Sequence, residues 1–175
     1  MKTESCVLEK ARKIELYLNE EYGADVFLTG SLVTGLTVPG CIDYDFVISA
    51  ATPRRFFEIR EELARDLRPM PLNRQTSDFA VFQGSALGEK IDVALLPVHK
   101  AEAIRRQQEV VRSELTPRDR RRIVRRKKML RNLPFFSRRI YNWYKRRLWK
   151  KLGMPRYLRV DMNWPDDGES WPDQS

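Results

Sequence analysis

Apolar residues at Cys6, Val7, Ala11, Ile14, Leu16 and Leu18 recur at helical spacing among charged neighbours, so residues 6 to 21 are predicted to form a helix with one buried stripe. Ala24 to Thr29 then reads as a strand, and Leu32 to Leu36 as a short helix whose N-terminus suits a phosphate. Pro39-Gly40 marks a turn into a second strand over 42–49. Thr52-Pro53 is a cap followed by proline at the first helical position, opening a helix to about Leu67 that Pro69 and Pro71 close. Ser77 to Ala86 and Lys90 to Leu96, divided by Leu87-Gly88-Glu89, are predicted as a hairpin. Pro97 ends the sheet, and a helix over 100–114 packs back on it. This alternation predicts an α/β fold, a small mixed sheet flanked by helices.

Acids interrupt the second and last strands. In a strand, residues i and i+2 point the same way, so Asp43 and Asp45 share one face and Tyr44 and Phe46 the other. Two carboxylates side by side repel, and such a pair suits a hard cation, above all Mg²⁺. Asp92 lies among Ile91, Val93, Leu95 and Leu96, and an acid in so apolar a strand needs a partner or a metal. Upstream, the first strand runs into Gly30-Ser31, where glycine lets the backbone approach a phosphate and serine offers a hydroxyl.

Taken together, Thr29-Gly30-Ser31, an eleven-residue spacer, Asp43-Tyr44-Asp45-Phe46 and Asp92 resemble the motif of the DNA polymerase β-like nucleotidyltransferase superfamily, in its minimal branch. The resemblance covers about residues 10 to 100. It departs in having Ile42 where many relatives carry serine, and it lacks the Val-Arg-Asp run of tRNA-end-adding and poly(A) enzymes, Val33 being followed by Thr34-Gly35. It implies an enzyme that moves an NMP from an NTP, with ATP expected first, to an acceptor hydroxyl. Asp43, Asp45 and Asp92 would then be catalytic and hold two Mg²⁺ ions, with Mn²⁺ as a substitute, and Gly30 and Ser31 would hold the nucleotide. Arg118, Arg120 and Arg121 are extra phosphate contacts on the same reading. Implied acceptors are RNA or, as in minimal nucleotidyltransferases that act as antitoxins, a protein partner. A scaffold of this fold that binds without catalysis is the reading of a different class.

Charge changes the picture again. The 175 residues carry a formal net charge of +9, yet residues 117 to 160 hold eighteen Lys or Arg against the single acid Asp119. Positive charge so localised concentrates polyanions. Thr116-Pro117 repeats the cap-and-proline start, and the helix it opens is too basic to be mainly core, docked by Ile123 and Leu130. After Pro134, residues 135 to 152 place Phe136, Ile140, Trp143, Tyr144 and Leu148 at helical spacing among basic residues. Three roles fit such a segment: nucleic-acid binding, contact with an anionic membrane surface, or docking on its own domain. On the first, Arg121, Arg122, Arg125, Arg126, Lys127, Arg138, Arg139, Trp143, Lys145 and Arg146 are the candidate contacts, with RNA favoured.

The organisation expected is therefore a nucleotidyltransferase-like catalytic domain over 1–116, a basic aromatic-rich helical extension over 117–160, and an acidic irregular tail over 161–175. Cys6 and Cys41 lack paired metal spacing and form no disulfide framework. With no apolar run long enough for a bilayer and no apolar leader after Met1, a cytoplasmic location is expected.

Overall fold

The computed structural model describes residues 4–38, 42–70, 77–131, 140, 143, 146–148 and 150–153. Element order is α1 (Glu4–Tyr22), β1 (Asp25–Thr29), α2 (Gly30–Thr34), β2 (Tyr44–Ala50), α3 (Pro53–Asp66), β3 (Arg68–Pro69), β4 (Ala80–Ala86), β5 (Glu89–Pro97), α4 (Val98–Glu114) and α5 (Pro117–Arg131). The five strands form one sheet in the order β1-β2-β5-β4-β3, in which only β2 and β5 run parallel. A parallel pair needs a crossover, and α3 with the β3–β4 segment supplies it. The mixed α/β architecture expected from the alternation of patterns is thus the one observed.

Strand alternation divides the core into two layers. Val26, Tyr44, Phe46, Ile48, Phe82, Ile91, Val93 and Leu95 face the apolar stripes of α1 (Val7, Ala11, Ile14, Leu18) and α3 (Phe56, Ile59, Leu63). Phe27, Val47, Val81, Ala94 and Leu96 face α4 through Ala101 and Ile104. Buried side chains of this size each contribute about 1.5–3 kcal/mol on leaving water. α3 starts as expected, with Pro53 at its first position and the Thr52 hydroxyl accepting from the Arg55 N–H at 3.2 Å.

The structure differs from expectation at several element ends and in one added strand. The short helix begins two residues earlier, at Gly30, and ends where Gly35 adopts φ +66°. β2 begins at Tyr44, so Asp43 precedes the strand and is exposed. The two-residue β3 was hidden by its proline: Arg68 and Pro69 pair with Gln83 and Phe82 at the sheet edge, where a missing N–H is tolerated.

α5 is more tightly docked than its charge suggests. Ile123 is 2% exposed and packs with Leu36, Val111 and Leu115, against which Leu148 and Leu152 also rest. Arg120 donates to the carbonyls of Thr34, Arg112 (2.6 Å) and Leu115 (3.3 Å), while Lys127 Nζ reaches Leu36 O at 3.3 Å. Arg120 therefore closes helix-end and loop carbonyls of its own domain. Among the other candidate contacts, Arg121, Arg122, Arg125, Arg126, Trp143 and Arg146 are exposed. Arg138, Arg139 and Lys145 lie outside the described residues, as do Cys41 and the acidic tail.

Candidate active site

The site is built at one end of the α4-facing side of the sheet. Backbone register lines up Thr29 of β1, Asp45 of β2, Asp92 of β5, Gln83 of β4 and Arg68 of β3 in one row. Opposed residues on paired strands share a face. The neighbouring pairs confirm which one: Phe46 and Val93 lie in the α1/α3 layer, Val47 and Ala94 in the α4 layer. Asp45 and Asp92 are thus abreast on adjacent strands, both half-buried, with Asp43 two residues upstream of Asp45. Further along the same face the row becomes apolar, through Val47, Ala94 and Val81, where α4 covers it.

Gly30 explains why this carboxylate fits beside the turn. Its φ is +76°, and a Cβ at this position would overlap Asp45 Oδ2. Only a residue without a side chain combines that backbone with so close a carboxylate. The turn is held from behind: Thr34 Oγ1 donates to Gly30 O at 2.9 Å, and Gln108 of α4 donates to the hydroxyl of buried Thr29. Ser31 follows, half-buried at the start of α2. Tyr44 sits between the two acids in sequence but turns into the opposite layer, where its hydroxyl is buried with no hydrogen-bond partner among the described residues and burial pushes its pKa up.

Of the three acids expected from the sequence, Asp45 and Asp92 are brought abreast on one face, while Asp43 lies just before β2 and is exposed. Among the described residues, however, no three His, Cys, Asp or Glu side chains are gathered as a metal cluster. The backbone places the carboxylates next to one another, and the donor set, oxygen only, fits a hard divalent ion. Sequence reasoning missed Gln83 and Gln108. Gln83 had a signal, since Val81, Gln83 and Ser85 turn polar along one face of β4 at the level of Asp92. Gln108 looked like any polar residue on a basic amphipathic helix.

A carboxylate pair at the end of a mixed sheet, packed on a glycine turn, is the layout of an α/β nucleotidyltransferase core. The chain matches the nucleotidyltransferase domain model over residues 11–129 and belongs to that family. The match ends at Met129, inside α5. Similar solved structures include the RNA terminal uridylyl transferase Cid1 (15% identity over 62% of this chain, TM-score 0.37) and a cytoplasmic RNA terminal U-transferase (16% over 63%, TM-score 0.36). The polymerase core of TRAMP, an RNA surveillance complex, is similar at 16% identity over 59% of the chain and a TM-score of 0.33. This chain spans 38% of the length of each of the three. No curated protein matches. No helix among the described residues is long and apolar enough to cross a membrane.

Proposed function

We propose that the protein transfers a nucleoside monophosphate from an NTP, with ATP the first to test, to an acceptor hydroxyl on RNA, releasing pyrophosphate. The observation that carries this reading is the register of Asp45 with Asp92 beside Gly30, in a chain of the nucleotidyltransferase family. Phosphoryl-type transfer needs positioning and charge neutralisation more than covalent help from the protein.

Asp43, Asp45 and Asp92 would hold two divalent ions, Mg²⁺ or Mn²⁺, which offset the triphosphate charge and lower the pKa of the attacking hydroxyl. Gly30 leaves room for phosphate at the backbone, and Ser31 offers a hydroxyl donor to a phosphate oxygen. Gln108 keeps Thr29, and through it the glycine turn, against Asp45. With the triphosphate on the Gly30–Ser31 side, in-line displacement brings the acceptor oxygen from the side of Asp92 and Gln83. The acceptor oxygen bonds to the α-phosphorus as the bond to pyrophosphate breaks, and the acceptor proton is lost to water.

The test is incubation of the purified protein with each labelled NTP, Mg²⁺ and total RNA, beside Asp45→Asn and Asp92→Asn. Label transferred to RNA by the native protein and lost in both variants is the expected result. Transfer to a protein band instead of RNA would move the assignment to a protein acceptor, and transfer undiminished in both variants would remove these acids from the chemistry.

A further inference from the structure

α5 has two faces with different work. Its inner face, Arg120, Ile123 and Lys127, is turned to the Thr34–Leu36 segment and the end of α4. Its outer face carries Arg118, Arg121, Arg122 and Arg125, all exposed and set at i, i+3, i+4 and i+7. Neighbours at those spacings stand one turn apart, and like charges there destabilise a helix. Among the described residues none of the four is in an ion pair. The helix's single acid, Asp119, is held at the helix start: its N–H donates to the Thr116 hydroxyl at 3.1 Å, that hydroxyl donates to its carboxylate at 2.9 Å, and Lys151 lies 3.2 Å from it. Four guanidinium groups in three successive tiers thus repel along one helix face, offset in part where Asp119 attracts Arg122.

We infer that this four-arginine stripe is a binding site for the phosphate backbone of single-stranded nucleic acid. Tiers that recur along the helix match phosphates that recur along a strand, and each guanidinium can grip two phosphate oxygens. A membrane surface fits less well. A helix that settles into lipid turns an apolar stripe outward, whereas Ile123 is buried against the domain, Val124 is half-buried, and the outer face offers Met129 beside four arginines. The stripe excludes the two basic residues of the inner face, Arg120 and Lys127, from this role. The inference adds the acceptor's docking surface to the function proposed above, and it is tested without NTP or metal so that the two stand or fall separately.

The experiment uses the full chain and a short fluorescent single-stranded RNA of mixed sequence, titrated between about 50 and 200 mM salt, where each phosphate contact contributes a log–log slope of about −0.7. Four contacts give a slope near −3 and a loss of affinity of about 50-fold across that range. The variant with Arg118, Arg121, Arg122 and Arg125 all changed to Gln should lose that slope and most of its affinity, with thermal stability equal or higher because the repulsion is gone. The corresponding all-Lys variant keeps the charge and should keep the slope, which preserves the test should the Gln variant misfold. Salt-independent RNA binding, undiminished binding by the Gln variant, or binding of the native chain to phosphatidylserine vesicles but not RNA overturns the inference. Nucleotide transfer with salt-independent RNA binding would sink the stripe and leave the enzyme; the reverse result would sink the enzyme and leave the stripe.

Discussion

Gly30 and Asp45 form a couple in which each explains the other. The strand register brings a carboxylate to the turn, and the turn accepts it only because its residue has no Cβ and a φ of +76°. Gly30→Ala should therefore cost about 1–2 kcal/mol from left-handed strain alone and displace Asp45, so activity should fall further than melting temperature does. Activity kept at native level with an unshifted Asp45 in a crystal structure of the variant would contradict this coupling. At the acids the sign reverses. Asp45→Asn removes a ligand yet relieves repulsion from Asp92 and Asp43, so thermal stability without metal should hold or rise while transfer is lost. Differential scanning fluorimetry with and without Mg²⁺ checks it: metal should raise the native melting temperature and leave the variant's unchanged. At the start of β5, the hairpin turn sets Leu87 at φ +51° and Gly88 at +78°. Both central residues of such a turn need positive φ, a need that Asn meets far better than Leu. Leu87 is 59% exposed, so Leu87→Asn should stabilise by about 1 kcal/mol in urea denaturation without touching activity.

Elements show why the sequence was readable in some places and silent in others. Local signals were legible: the Thr52-Pro53 cap, the alternation that put Tyr44 and Phe46 opposite Asp45, and the apolar flanks of Asp92 each act within a few residues. Non-local pairing was not. Nothing near Asp92 says that β5 inserts between β2 and β4, though this is what sets it abreast of Asp45 rather than two strands away. The same holds for β1, the outermost strand beside the site. Its outer edge is met by α1 side chains: Glu15 accepts from the Leu28 N–H at 2.9 Å, and Asn19 exchanges hydrogen bonds with Val26. Spacing shows Glu15 only as a polar residue beside the buried Ile14. Glu15→Ala leaves the Leu28 amide without its acceptor two residues before Gly30, and should cost about 1–3 kcal/mol in chemical denaturation. Glu15→Gln, which still offers a carbonyl, should recover much of it. Equal stability of the two variants would show that water replaces the carboxylate.

Across the whole molecule, the most basic described helix also completes the nucleotidyltransferase domain. All but the last two residues of α5 lie inside the family match, and the helix buries Ile123 against Leu36, Val111 and Leu115 and fastens the segment that leads from the glycine turn towards Asp43. A surface field and an inner brace are thus built into one element, and charge counting sees only the first. The pH response follows from the cap at its start. The Thr116 hydroxyl bonded to Asp119, with Lys151 beside it, holds that carboxyl below its ordinary value of 3.8. A depressed folded-state pKa contributes stability above the unfolded value that is lost as pH falls through the folded one, so the α5 cap should loosen below about pH 4. Removing the brace outright is the stronger experiment. Cutting the chain after Glu114 deletes Leu115 with α5, exposes Leu36 and Val111, and removes the Arg120 bonds to the Thr34 and Arg112 carbonyls, so the truncated protein should melt lower and bind NTP more weakly. Ile123→Ala, which keeps every charge, should cost about 2 kcal/mol or more through the cavity it leaves and reproduce part of the loss in NTP binding. If the truncated chain melts and binds NTP like the full one, α5 is an appendage. If Ile123→Ala alone lowers NTP affinity while RNA binding holds, the inner and outer faces of the helix are separable, as their contacts require.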